Sequence, residues 1–217
     1  MSQNPGAFYV KNTEVFSNIE QEIQNNIESL GDLSQYDNCL DLPENYDVDS
    51  EFSMDSLQAL MDSGGQAVPM TRMPSTEEFE SINNLAELGY QKYLNYFNTS
   101  QGPLSCAQSF FGCNMHVPQG IYGFHRTPQF EGSWILNICW VQDLDKFDFI
   151  FYESDNKQVK VSKHNSKFNY RLYKIPHDSN TPFYHGRKSE TYAFEWNIML
   201  GIDVCQNICM NWRGLRA

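Results

Sequence analysis

Five histidines, His116, His125, His164, His177 and His185, are the side chains in this 217-residue chain best placed to bind a metal or carry a proton near neutral pH. His125 ends a short strand-like run, IYGFHRTP. His185 lies in TPFYHGR, just ahead of the most regular alternation in the chain. Four predicted strands separate the two. His177, in IPHD, reads as a loop residue bonded to Asp178, and His164, in KHNSK, as a solvated turn. His116 follows Cys113 closely and keeps a metal role open. The thiols give Cys106-x6-Cys113 and Cys205-x3-Cys209. The first spacing is too wide for a zinc knuckle and the second suits one face of a helix, so buried apolar thiols are the simpler expectation. Asp143, Asp145 and Asp148 crowd three carboxylates into VQDLDKFD, which lacks the glycine and terminal Glu of a calcium loop. There is no nucleophile elbow, phosphate loop or dinucleotide fingerprint.

These groups sit in the β-rich part of the chain. From Ile121 onward the apolar period is 2. Trp134, Leu136, Ile138 and Trp140 share one strand face, Phe147, Phe149 and Phe151 another, and Val159 and Val161 a third. Tyr170, Leu172 and Lys174 alternate with Arg171, Tyr173 and Ile175. Tyr192, Phe194, Trp196, Ile198 and Leu200 close the series. Six or seven strands without intervening helices predict an antiparallel sandwich, barrel or jelly roll. Residues 98–120 read as loop. Upstream, Ser75 and Glu78 form a capping-box pattern ahead of a helix whose apolar face carries Phe79, Ile82, Leu85, Ala86, Tyr90, Tyr93 and Phe97.

The N-terminal third differs. Residues 1–75 hold 13 of the 27 acids and 2 of the 15 bases, leaving a charge of −1 on the rest. A chain so poor in net basic surface is not built to grip phosphate backbones, and no direct nucleic-acid partner is expected. Phe16, Ile19, Ile23, Ile27 and Leu30 form one stripe of a helix from about Thr13 to Leu30, stopped by Gly31. A second short helix runs from Met54 to Met61. SGGQAVPMTRMP reads as a linker. The expected division is 1–73, an acidic arm with amphipathic helices and linker, and 74–217, a helix plus a β jelly-roll domain. The arm's stripe is too regular for a solubility tail. It predicts docking onto a protein partner or back onto the chain itself. No apolar run has the length of a membrane span, and MSQNPGAFYV has no signal-peptide pattern. Six scattered cysteines then predict free thiols in an intracellular, cytoplasmic setting, with a viral origin left open.

The stretches GFHRTPQFEGSWILNICW and YRLYKIPHDSNTPFYHGRKSETYAFEWNI together resemble the double-stranded β-helix core of iron(II)/2-oxoglutarate-dependent oxygenases, in its small phage and bacterial form. In that family a strand-end His-x-Asp and a later His bind iron, and an Arg on the following strand holds the cosubstrate. The resemblance, over roughly residues 115–200, implies that His125 and His185 are metal ligands, with iron(II) and 2-oxoglutarate as cofactors. Position 127 is Thr where the family has its carboxylate, on the same strand face as His125. The strand after His185 begins TYAFE and has no Arg. Arg187, Lys188 and Arg171 are the substitutes for the cosubstrate clamp. The halogenases of the family also lack the carboxylate and place a halide there.

The expected fold class is mainly β, an antiparallel jelly roll or double-stranded β-helix with a preceding helix and an acidic helical arm. Two functions are open. One is an oxygenase-like protein, active or catalytically degenerate. The other is a non-enzymatic β-sandwich of structural or assembly type, viral for example, that docks through its arm.

Overall fold

A computed structural model of the chain describes residues 8–10, 16–65, 69–100, 107–127, 132–154, 157–175 and 183–200. Its elements in order are β1 (Phe8–Val10), α1 (Ser17–Ser29), α2 (Met54–Asp62), β2 (Thr71–Arg72) and α3 (Glu80–Ser100). The strands β3 (Ala107–His116), β4 (Gly120–His125), β5 (Trp134–Val141) and β6 (Phe147–Glu153) follow. The series ends with β7 (Gln158–Lys163), β8 (Phe168–Lys174), β9 (His185–Ser189) and β10 (Ala193–Leu200).

The strands make two five-stranded sheets, ordered β1-β8-β5-β10-β3 and β2-β4-β9-β6-β7. Every pairing is antiparallel. From β3 to β10 the chain changes sheet at every connection except the β6–β7 hairpin. That winding, β3-β10-β5-β8 over β4-β9-β6-β7, is a double-stranded β-helix, and the protein is mainly β.

Strand alternation sorts the side chains into three layers. Leu136, Ile138, Trp140, Tyr170, Leu172, Phe194, Trp196 and Ile198 leave the first sheet outward and are covered by α1 and α3 in one buried cluster. Ile121, Ile150 and Tyr184 leave the second sheet outward and meet Phe52, Leu57 and Leu60 from the α2 region. Between the sheets lie Ile135, Phe149, Tyr173 and Phe183, with Cys139, Val141, Phe147 and Ala193 nearby. Strands buried on both faces explain why apolar residues occupy both phases of β5 and β10.

The stripe of the first helix packs inside the molecule. Phe16, Ile23 and Ile27 are buried in the same cluster as Trp196, with Ile19 and Leu30 at its margin. Its N-cap is Phe16, without a side-chain cap; Thr13 lies outside the described residues. Gly31 leaves the helix at φ 73°, as a left-handed stop requires. Trp140 Nε1 donates to Gln24 at 2.5 Å, and Tyr170 OH donates to Glu20 at 2.7 Å. α3 packs on β10 through Gly89, where a Cβ would stand 2.5 Å from Trp196 Nε1; that nitrogen instead donates to the Ala86 carbonyl. Among the described residues no helix is long and apolar enough to cross a membrane.

Three local expectations are corrected. Residues 98–120 are not all loop, because they contain the end of α3 and the whole of β3. The β3–β10 ladder shifts register twice, between Trp196 and Ile198 and between Met199 and Leu200, and this irregularity hides β3 from a period-2 search. The capping box does not form, since α3 begins at Glu80 and Ser75 is tied elsewhere: its N–H donates to Asn38 Oδ1, and Asn38 Nδ2 donates back to its carbonyl. Between α1 and α2 the chain makes two 3-10 turns, Leu33–Tyr36 and Val48–Phe52, capped by the side chains of Asp32 and Asp47. Within the Gly- and Pro-rich stretch, Thr71–Arg72 pair with β4. Buried Arg72 donates to the Leu40 and Pro118 carbonyls at 3.0 and 2.8 Å, joining the arm to the barrel.

Candidate metal and ligand site

β4 and β9 are neighbours, and the register sets His125 directly opposite His185. One irregularity makes this possible. Tyr122 and His125 are three residues apart, so a regular strand would point them to opposite faces. A register shift between them turns both to the same side. Their rings stack at 3.9 Å and 16°. The imidazoles of His125 and His185 then lie 4.3 Å apart, centroid to centroid. On the opposite face of β9, Gly186 leaves room for the arm: a Cβ there would come within 2.7 Å of the Phe52 ring and the Tyr122 carbonyl.

Both histidines are buried and neutral. Burial pushes His125 down to about 4; the Gly123 carbonyl favours the charged ring and the Arg187 charge disfavours it. His125 Nδ1 donates to Gly123 O at 3.0 Å, which leaves the lone pair on Nε2. His185 is also held well below the usual range, first by burial and then by His125 and Arg187. Among the described residues its buried Nδ1 has no partner in hydrogen-bond geometry, although the Phe183 backbone lies close enough to favour the charged form. Phe149 and Phe183 stack on its ring at 6.0 and 5.1 Å.

The two rings open onto a cavity of about 250 Å³, also lined by Thr127, Arg187, Glu195 and Asn197. Arg187 follows His185 by two residues and shares its face. Its guanidinium lies 4.0 Å above Phe149 and grips Glu195 of β10, with Nε at 3.0 and 2.9 Å from the two carboxylate oxygens and Nη2 at 2.6 Å. His116 Nε2 lies 3.1 Å from the same carboxylate, Asn137 Nδ2 2.5 Å and Asn197 Nδ2 3.3 Å. Burial works against the charge on Glu195, but Arg187 and the His116 bond hold its carboxyl well below the usual range. Asn137 also accepts from Arg171 Nη1 at 3.0 Å, so the network crosses the barrel.

Arg171 is wholly buried and lies 4.8 Å from Phe149, on which Arg187 also rests. It bonds Ser162 and His164. Lys188 alternates to the outer side of β9 and bonds Asp49 at 2.6 Å. Thr127 lines the cavity with His125. The expectation for His164 is corrected: it is fully buried, donates from Nδ1 to Phe147 O at 2.8 Å and accepts from Arg171 at Nε2. His116 faces Glu195 rather than a thiol. His177, Cys106, Cys205 and Cys209 lie outside the described residues; Cys39, Cys113 and Cys139 are free thiols.

Glu195 was not among the sequence candidates. One signal was available, since a carboxylate inside the apolar run AFEWNIML demands a buried partner. Tyr122 had no such signal, because its place depends on the register shift.

The neutral histidines fix a pH dependence. In the unfolded chain each takes a proton near 6.5, whereas folded His125 resists until about 4, and His185 and His164 are held down in the same direction. The unfolded state therefore binds more protons as pH falls, and stability drops. Urea midpoints should fall from pH 7 to pH 5, as the unfolding free energy declines by at most about 1.4 kcal/mol per pH unit for each of the three rings. A flat midpoint over that range would contradict the burial of neutral imidazoles.

No protein-family model matches the chain, and no curated protein matches it. Among solved structures it is similar to an oxidoreductase of the 2OG-Fe(II) oxygenase family from Burkholderia pseudomallei, at 12% identity and TM-score 0.38, over 89% of this chain and 93% of that one. It is also similar to a Pseudomonas putida prolyl-4-hydroxylase, at 12% identity and TM-score 0.32, over 80% and 92%. These are distant resemblances. The strand order, not these scores, defines the fold as a double-stranded β-helix.

Proposed function

We propose that this chain is an oxygenase-like double-stranded β-helix protein that holds a divalent metal, iron(II) foremost, between His125 and His185, and that it is catalytically degenerate. The observation that carries this is the 4.3 Å approach of two neutral imidazoles beside one cavity. Two imidazoles bound cis to one ion, with metal–nitrogen bonds of about 2.1 Å, have centroids roughly 4–5 Å apart. The donor chemistry fits as well, since a metal needs unprotonated rings. Gly123 fixes the His125 tautomer and Tyr122 fixes its ring plane, as supporting groups do at metal sites. When bound in such a site, iron(II) supplies oxygen activation.

The second cofactor fits less well. Of the three substitutes for the cosubstrate clamp, Arg187 is taken by Glu195 and Lys188 points away from the cavity. No group of three His, Cys, Asp or Glu side chains that could hold a metal forms among the described residues. The occupation of Arg187 by Glu195 favours the second reading, a non-enzymatic β-sandwich of structural or assembly type, in which the paired histidines bind no metal.

Anaerobic calorimetric titration with iron(II) or manganese(II) separates the two. Wild type should bind one ion weakly. His185→Ala should abolish binding, and Thr127→Asp should tighten it at least tenfold, because a charged oxygen joins two imidazoles at a dication. Binding by neither wild type nor Thr127→Asp would overturn the metal site.

A further inference from the structure

We infer that Glu195 is a built-in occupant of the barrel's anion site, so that the cavity beside His125 and His185 excludes acidic small molecules, 2-oxo acids included. A carboxylate offers about four lone-pair positions. Those of Glu195 face Arg187, His116, Asn137 and Asn197, with contacts between 2.5 and 3.3 Å. The first three of these residues and Glu195 itself are each at most 4% exposed. A group this completely surrounded by donors is a finished carboxylate-binding site whose ligand is tethered to β10.

The consequence is one of specificity. Arg187 and Glu195 both line the cavity. An incoming carboxylate that reached for Arg187 would find its Nε and Nη2 already bonded. It would also meet the negative charge of Glu195 in a low-dielectric interior, where like charges repel far more strongly than in water. A cation at the two imidazoles or an uncharged polar molecule meets no such barrier.

The tether defines the test. Changing Glu195 to Ala removes one methylene and the carboxylate, which together amount to an acetate. Glu195→Ala should leave Arg187, His116 and Asn137 aimed at a vacant site that acetate fills. The proposal rests on the barrel described above but not on the metal. The full chain is therefore treated with chelator, and melting is followed with sodium acetate against sodium chloride of equal ionic strength. At acetate a hundredfold above its dissociation constant, Glu195→Ala should melt roughly 5–10 °C higher, and wild type should not move. Wild type should also show no heat of binding with 2-oxoglutarate or succinate.

Binding of either dicarboxylate by metal-free wild type, lost in Arg187→Met, would overturn the proposal. So would a folded Glu195→Ala protein indifferent to acetate. If Glu195→Ala folds only when acetate is present during refolding, the proposal stands. If it folds under neither condition, the wild-type dicarboxylate titration decides, binding overturning the proposal and its absence sustaining it. Loss of iron binding with these results intact would count against the metal site alone.

Discussion

Arg187→Met should destabilise the protein by about 3–5 kcal/mol, because it leaves a buried carboxylate without its principal counter-charge. Glu195 is 1% exposed and Arg187 4%, so water cannot replace the lost partner without opening the barrel. His116, Asn137 and Asn197 would remain as donors, but none carries the fixed charge of a guanidinium. The stacking of Arg187 on Phe149 would go as well. Glu195→Met in the same chain should recover much of the loss, since an apolar pair of similar volume needs no compensation. Urea unfolding of wild type, the single variant and the double variant measures this directly. A single-variant loss below about 1 kcal/mol would show that the pair is solvated, as exposed ion pairs are.

Phe16→Ala should be comparably severe, with a loss of about 3–5 kcal/mol. Phe16 is 2% exposed and stands where three elements meet. Its ring stacks on Tyr170 of β8 at 4.9 Å and 24°. It also makes edge contacts with Tyr93, Tyr96 and Phe97 of α3 at 5.5, 4.9 and 6.2 Å. Behind it, Tyr93 and Tyr170 bond at 2.8 Å, and Tyr170 donates to half-buried Glu20. Removing the ring opens a cavity that these large side chains cannot close without breaking that chain of bonds. Hydrogen exchange should then show α1 and α3 losing protection together, while β4 and β9 keep theirs and the metal titration is unchanged. A loss confined to α1, with α3 still protected, would mean that the arm is an appendage rather than part of the core.

Much of the architecture follows from local chemistry. Period-2 apolar runs specify the strands from β4 onward, because alternate side chains of an extended chain leave on opposite faces. The stripe from Phe16 to Leu30 specifies a helix with one apolar face, and Gly31 ends it. His125 and His185 stand out because each adjoins a strand end, and the i, i+2 relation places Thr127 beside His125 at the cavity.

What brings the site together is not local. β3 is recognisable only through its pairing with β10, which tolerates two register shifts that a single strand does not announce. The side of β4 on which His125 emerges depends on one further shift, visible only in its ladder with β9. The ionic centre draws Arg187 from β9, Glu195 from β10, His116 from β3 and Asn137 from β5. The sequence shows each as an isolated polar residue and determines that each needs a partner if buried. Which partner it finds is decided by how two sheets wind over each other, because burial turns a weak solvent-exposed attraction into a strong and specific one only where the fold excludes water.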